Sequence, residues 1–112
     1  MKNLENKVVV ITGAAMGLGL AAAKELASQG ANLTLVDYNE KGLNEAKVEI
    51  NKLFPTSKII TVVADVSKED AVKNYVDETV KSFGRIDGFY NNAGIEGKQA
   101  PLTAYDVNIF KK

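Results

Sequence analysis

The sequence has no cysteine and no histidine. Those two absences exclude disulfides, structural zinc with its usual ligands, Ser-His-Asp and Cys-His nucleophile systems, and imidazole acid/base work. Chemistry must therefore come from hydroxyls, carboxylates, lysines, the backbone or a cofactor. Net charge is also lacking, with 14 basic residues against 14 acidic ones, so nothing in the composition calls for a polyanion. A long hydrophobic run is missing as well. The longest uncharged stretch, Val8 to Ala23, has 16 residues interrupted by three glycines, short of the roughly 20 that span a bilayer. Read as a secretory leader, with Ala21-Ala22-Ala23 as its cleavage site, that stretch would carry Glu5 in a region that should be purely basic. The same residues fit a strand, a turn and a helix better.

What remains is ordinary for a soluble globular protein: 46% hydrophobic and 25% charged residues, without an internal repeat, in 112 residues. That length predicts one domain spanning 1–112 with a modest core. The absence of cysteine fits a reducing compartment, and the expected location is cytoplasmic.

Along the chain, short β-branched runs alternate with longer segments of helical period, the pattern of βαβ units and a parallel sheet. Strands are predicted at Lys7 to Thr12, Asn32 to Asp37, Lys58 to Ala64 and Ile86 to Tyr90. Their nearly continuous apolar runs suit strands covered on both faces. The intervening helices have legible ends. The first opens at Gly17 and closes at Gly30. The second has Asn39 as N-cap, an inward face of Leu43, Ala46, Ile50 and Leu53, and stops before Pro55. The third runs from a capping box at Ser67 and Asp70 to Gly84, with Val72, Tyr75, Val76, Thr79, Val80 and Phe83 facing the sheet. The tail from Thr103 begins like a helix, with Asp106 at capping-box spacing and Val107 and Phe110 starting a stripe. It reaches "FKK" after about two turns, too few for a helix that stands on propensity alone. The lysines complement a helix C-terminus, or the element is cut in its middle.

The stretch "TGAAMGLG" carries the chemistry. A strand ending at Thr12-Gly13 and a helix opening at Gly17-Leu18-Gly19 put free helix N–H groups at the C-terminal edge of the sheet, where an anion is favoured. Gly13 serves the tight turn, Gly17 leaves room for a phosphate to approach the backbone, and Gly19 allows close packing of helix on strand. No Gly-Lys-Ser/Thr follows, so this is not a P-loop, and the order G-x-x-x-G-x-G is not G-x-G-x-x-G. Taken alone, the turn also fits a tight connection without a ligand. Asp37 sharpens the reading. It closes the second strand, 18 residues after Gly19, where a ribose attached to a phosphate on the turn would present two hydroxyls to a carboxylate. An acid there repels a 2′-phosphate, so NAD is expected over NADP. As a mere N-cap, Asp37 would be a poorer choice than Asn39.

"TGAAMGLG" (Thr12 to Gly19), Asp37, "ADV" (Ala64 to Val66) and "GRIDGFYNNAG" (Gly84 to Gly94) resemble, in this order and spacing, the short-chain dehydrogenase/reductase family. The resemblance covers nearly the whole chain. It implies an α/β fold with a Rossmann-type parallel sheet of order 3-2-1-4 flanked by helices, the dinucleotide crossing between strands one and four. It also implies residue roles. Gly13, Met16, Gly17, Leu18 and Gly19 would hold the pyrophosphate through backbone donors, and Asp37 the adenosine ribose. Asp65 and the Val66 backbone would meet the adenine edge. Asn92, Ala93 and Gly94 would line the path to the nicotinamide, and Asn91 would tie strands together. Outside the resemblance, the asparagines also fit plain turn chemistry after a strand.

The family's activity is hydride transfer between a nicotinamide and a carbonyl or alcohol, with a tyrosine as acid/base, a lysine four residues on, and a serine and an asparagine assisting. Here the sequence departs. The four tyrosines are followed at i+4 by Gly42, Thr79, Gly94 and Ile109, so there is no Tyr-x-x-x-Lys. Asn108 lies too early to match the family's asparagine and reads as a surface residue. No catalytic residue and no metal ligand is assigned. The chain thus resembles the N-terminal, dinucleotide-binding portion of such an enzyme, truncated before strand five. Its expected partners are the dinucleotide, a carbonyl or alcohol substrate only in a full-length form, and a second copy in a homo-oligomer, with neither nucleic acid nor membrane. A non-catalytic NAD-binding module and an inactive fragment are the alternatives.

Overall fold

The computed structural model describes residues 4–15, 17–65 and 68–91. Seven elements follow one another: β1 (Val8–Thr12), α1 (Gly17–Ser28), β2 (Asn32–Asp37), α2 (Glu40–Leu53), β3 (Ile59–Val63), α3 (Glu69–Phe83) and β4 (Gly88–Asn91). The strands form one parallel sheet in the order β3-β2-β1-β4, as the family resemblance implies. The tail from Thr103, with its predicted capping box, lies outside the described residues.

The apolar runs are continuous because both faces are covered. On one face Val9 and Ile11 of β1 with Leu33 and Leu35 of β2 pack against Ala23, Leu26 and Ala27 of α1 and Leu43, Ala46 and Ile50 of α2. On the other, Val10, Val36 and Val62 meet Tyr75 of α3, with Val76, Ile86 and Phe89 beside them. All five residues of β1 are buried, as befits a central strand, whereas β3 at the edge is buried at Ile59 and Val62 alone.

The helix ends follow the sequence closely. Gly30 takes φ +95° after α1, its N–H donates to the Ala27 carbonyl and that of Ala31 to Leu26, a Schellman motif. Asn39 caps α2, its side chain accepting from the Gly42 N–H at 3.0 Å. Gly84 takes φ +80° and ends α3.

Three details depart from the periodicity. Leu53, expected on the inward face of α2, is 54% exposed at the last residue of that helix. α3 is rotated from the predicted stripe: Ala71, Tyr75 and Thr79 point inward, while Val72 and Val80 are about half exposed. A hydrogen bond between the buried Thr79 and Thr34 hydroxyls, 2.8 Å, and the bulk of Tyr75 set that rotation. α3 also starts later than the capping box predicts. Its N-cap is Lys68, with no side-chain cap; Ser67 lies outside the described residues.

β4 begins at Gly88 rather than at Ile86, and Asp87 just before it is tied to β1. The Asp87 N–H donates to the Val8 carbonyl at 2.8 Å, and Asp87 Oδ2 accepts from the Val8 N–H at 2.8 Å. Arg85 donates to the other oxygen at 2.7 Å. Burial pushes the Asp87 carboxyl up, but the hydrogen bonds from Arg85 and Val8 and the charges of Arg85 and Lys7 outweigh it and hold the group below its ordinary value. Since the unfolded chain binds that proton more tightly, the pairing stabilises the fold above the ordinary carboxylate range and is lost as pH falls through the lower folded value. Asp87→Ala is expected to cost about 1–3 kcal/mol at pH 7 by urea unfolding. The gap between variant and parent should narrow below about pH 4. A gap constant down to acid unfolding would remove the ionised carboxylate from this role.

Candidate functional site

The C-terminal ends of the four strands come together at one edge of the sheet. Thr12 of β1 is in register with Val36 of β2 and with Asn91 of β4, and Asp37 with Val63 of β3. At this edge the chain changes direction. α1 and α2 lie on one face and α3 on the other, so the crevice opens between β1 and β4, the place where parallel α/β sheets bind ligands.

The glycines of the turn between β1 and α1 are there for two physical reasons. Gly13 (φ +65°) and Gly17 (φ +62°) are left-handed, a conformation that disfavours side chains. An added Cβ at Gly17 would have nothing within 4 Å, so backbone angle and not crowding asks for glycine there, and its outer side stays open. At Gly19 the reason is contact. An added Cβ would stand 2.1 Å from the Gly13 carbonyl oxygen and 2.7 Å from its carbon. The close packing predicted for Gly19 is therefore made with the end of the turn itself. α1 carries no acidic residue in its first turn, so no side chain of its own offsets the positive end of its dipole, and Leu18 is 64% exposed there. Met16 lies outside the described residues.

Asp37 sits beside that turn and is 8% exposed. Its Oδ2 accepts from the Ala15 N–H at 3.0 Å and its Oδ1 from the Asn39 N–H at 3.1 Å. The sequence pairs Asp37 with a ribose but gives no hint of the bond to Ala15, 22 residues upstream. The second bond is a local Asx turn, for which Asp-x-Asn is a readable signal. Gly42 is a further residue the sequence reading passes over. A Cβ there would stand 2.9 Å from the Ala15 Cβ, so α2 also rests on the turn, and the signal is a lone glycine inside an otherwise good helix.

Asp65 follows β3 at the same edge, exposed, with its carbonyl accepting from the Lys68 N–H. Val66 and the run Asn92, Ala93 and Gly94 lie outside the described residues; Asn91 is placed as the last residue of β4, next to Thr12. The described part of the site therefore joins Gly13, Gly17, Leu18, Gly19, Asp37 and Asp65. Tyr75 is removed from it, packed in the core, where burial pushes its phenol up, away from what an acid/base tyrosine requires. Among the described residues no helix is long and apolar enough to cross a membrane.

An all-parallel sheet in this order, with a glycine turn at the point of reversal, defines a Rossmann-type α/β domain. Comparison with known proteins takes the assignment to a family. A family model for short chain dehydrogenases matches residues 7–112. Levodione reductase of Leifsonia aquatica is 49% identical over 107 residues, covering 96% of this chain and 40% of that protein. A CLA biosynthesis dehydrogenase/reductase of Lactiplantibacillus plantarum is 42% identical over 95 residues, 85% of this chain and 32% of that one. Among solved structures, levodione reductase superposes with a TM-score of 0.80 at 47% identity, over 96% of this chain and 42% of that one. NAD+-bound xylitol dehydrogenase gives 0.78 at 32% identity, over 96% and 44%. L-sorbose reductase from Gluconobacter frateurii, complexed with NADPH and L-sorbose, gives 0.75 at 38% identity, over 84% and 36%. The chain belongs to the short-chain dehydrogenase/reductase family of oxidoreductases, and it spans less than half the length of these relatives.

The contact at Gly19 generates a prediction. Gly19→Ala must move the turn or the helix and is expected to cost about 1–3 kcal/mol. Gly17→Ala meets no atom and is expected to cost only its backbone strain, about 1–2 kcal/mol, without displacing α1. Urea unfolding ranks them; amide chemical shifts should move along α1 in the first variant and stay local in the second. Equal, local shifts in both would show that the Gly13 contact is not tight.

Proposed function

We propose that residues 1–112 form the NAD-binding domain of a cytoplasmic oxidoreductase that moves a hydride between a nicotinamide and a carbonyl or alcohol. The observation that carries this reading is the Asp37 carboxylate, held at the end of β2 within hydrogen-bond distance of the glycine turn. The residues suit a dinucleotide: two left-handed glycines bare the turn's backbone, the outer side of Gly17 is open, and an acid stands one strand away. In this reading Gly13, Met16, Gly17, Leu18 and Gly19 hold the pyrophosphate, and Asp37 accepts from the ribose hydroxyls. Asp65 and Val66 meet the adenine, and Asn92, Ala93 and Gly94 lead toward the nicotinamide. The bound cofactor supplies the hydride acceptor; the chain's own residues bind and orient it.

Cofactor preference is argued from charge, because the structural relatives include both an NAD+ and an NADPH complex. A carboxylate at position 37 meets a 2′-phosphate with like charge in a partly desolvated place. Calorimetric titration is expected to give binding of NAD at least about tenfold tighter than NADP. In Asp37→Ala that ratio should shrink toward one. Equal affinities in the parent chain would remove Asp37 as the determinant, and binding of neither would overturn the dinucleotide reading.

The absence of any Tyr-x-x-x-Lys favours binding over catalysis by these residues taken alone. The 112-residue chain is therefore expected to give no change in nicotinamide absorbance with any alcohol or ketone. Measurable turnover would require an acid/base arrangement different from the family's.

A further inference from the structure

We infer that Asp37 is also a positioning residue, whose carboxylate clamps the glycine turn in its binding shape before any nucleotide arrives, so that turn and ribose site form one unit. The inference rests on the dinucleotide reading and adds to it a second role for the same side chain.

The turn is held from outside. The Ala14 N–H donates to the Val36 carbonyl at 3.1 Å and the Ala15 N–H to Asp37 Oδ2 at 3.0 Å, so two consecutive amides of the turn are tied to the last two residues of β2. The clamp then closes through α2. Asp37 Oδ1 takes the Asn39 N–H, Asn39 Oδ1 takes the Gly42 N–H at 3.0 Å, and the bare Cα of Gly42 lets α2 rest on the Ala15 methyl. The path from Asp37 through Asn39 and Gly42 thus comes back to Ala15, the residue that Asp37 already holds. A carboxylate suits this position better than an amide, because both its oxygens accept and each backbone donor gains from the charge. Each oxygen has lone-pair capacity beyond the one bond it makes here, so the clamp and two ribose hydroxyls can be served together.

The chemistry separates the two roles. A residue that reads only the ribose hydroxyls is silent toward a nucleotide that lacks them. The probes are ADP and 2′,3′-dideoxy-ADP, titrated into the full chain and into Asp37→Asn, Asp37→Ala and Gly42→Ala. If Asp37 clamps the turn, Asp37→Ala weakens 2′,3′-dideoxy-ADP by about tenfold and ADP by more. Asp37→Asn, which keeps the volume but cannot accept at both atoms, does the same to a smaller degree. Gly42→Ala keeps the carboxylate and raises helix propensity, yet presses a methyl on Ala15. It should weaken both probes several-fold while leaving their ratio unchanged. Affinity for 2′,3′-dideoxy-ADP that stays within about twofold of the parent in all three variants would overturn the clamp while leaving the ribose role intact. A readout without ligand guards against failure of the dinucleotide reading itself. In the ligand-free chain, hydrogen exchange of the Ala15 amide should accelerate at least about tenfold in Asp37→Asn, with the amides of β1 unchanged. An Ala15 amide that exchanges equally fast in the parent and the variant would overturn the clamp whatever the nucleotides do.

Discussion

The carbonyl of Gly13 lies against the bare Cα of Gly19, at a separation that leaves no room for a methyl. From that contact the rest of the molecule follows. It holds the first turn of α1 against the residue that follows β1, so the helix's unpaired N–H groups fall at the C-terminal edge of the sheet and not out over a long loop. It also fixes how far α1 lies from the sheet, which allows the small inner face of Ala23 and Ala27 to fill the space over β1 and β2. A larger residue at position 19 would lift the helix, open that layer and turn the donors away from the crevice.

The second constraint is the change of direction across the sheet. β2 and β3 extend the sheet from β1 one way and β4 extends it the other, and right-handed connections then place α1 and α2 on one face and α3 on the opposite one. A crevice beside the glycine turn is a consequence of that topology and needs no side chain to carve it. What needs side chains is holding β4 in place. Asp87 does so by exchanging two hydrogen bonds with Val8 at the far end of β1, the end away from the glycine turn. In the proposed reading, opposite ends of the same strand pair thus divide stability from binding.

The layers of this fold are legible in the residues because a strand covered on both faces has to be apolar throughout, and "VVVI" and "LTLV" have no other economical reading. Helix ends are legible for a similarly local reason: Gly30 and Gly84 stand where only a left-handed residue closes the helix. The rotation of α3 is not legible. Periodicity counts Val72 and Val80 as strongly as Tyr75 and Thr79, and it passes over Ala71, whereas a buried hydroxyl pair across 45 residues decides which face turns inward. Leu53 misleads as well: it has the right phase, yet as the last residue of α2 it is 54% exposed. Of the site, the glycines and Asp37 are readable as a pattern, but the bond from Ala15 to Asp37 is not, because no local signal links residues so far apart in sequence.

That unreadable bond changes what the Asp37 pattern means. Read from sequence, the acid is an independent selector whose charge favours NAD over NADP. In the folded chain it is the common partner of two amides that belong to different elements, the turn after β1 and the entry to α2. Both donors also sit near helix N-termini, where a negative charge is favoured by the dipoles of α1 and α2. Removing the charge therefore acts on the turn after β1 as well as on the entry to α2. A residue chosen to welcome a 2′-phosphate would have to restore an acceptor for the Ala15 amide, and a basic side chain has no acceptor to offer. In the proposed reading, cofactor selectivity is thus tied to the shape of the turn, because one carboxylate serves both.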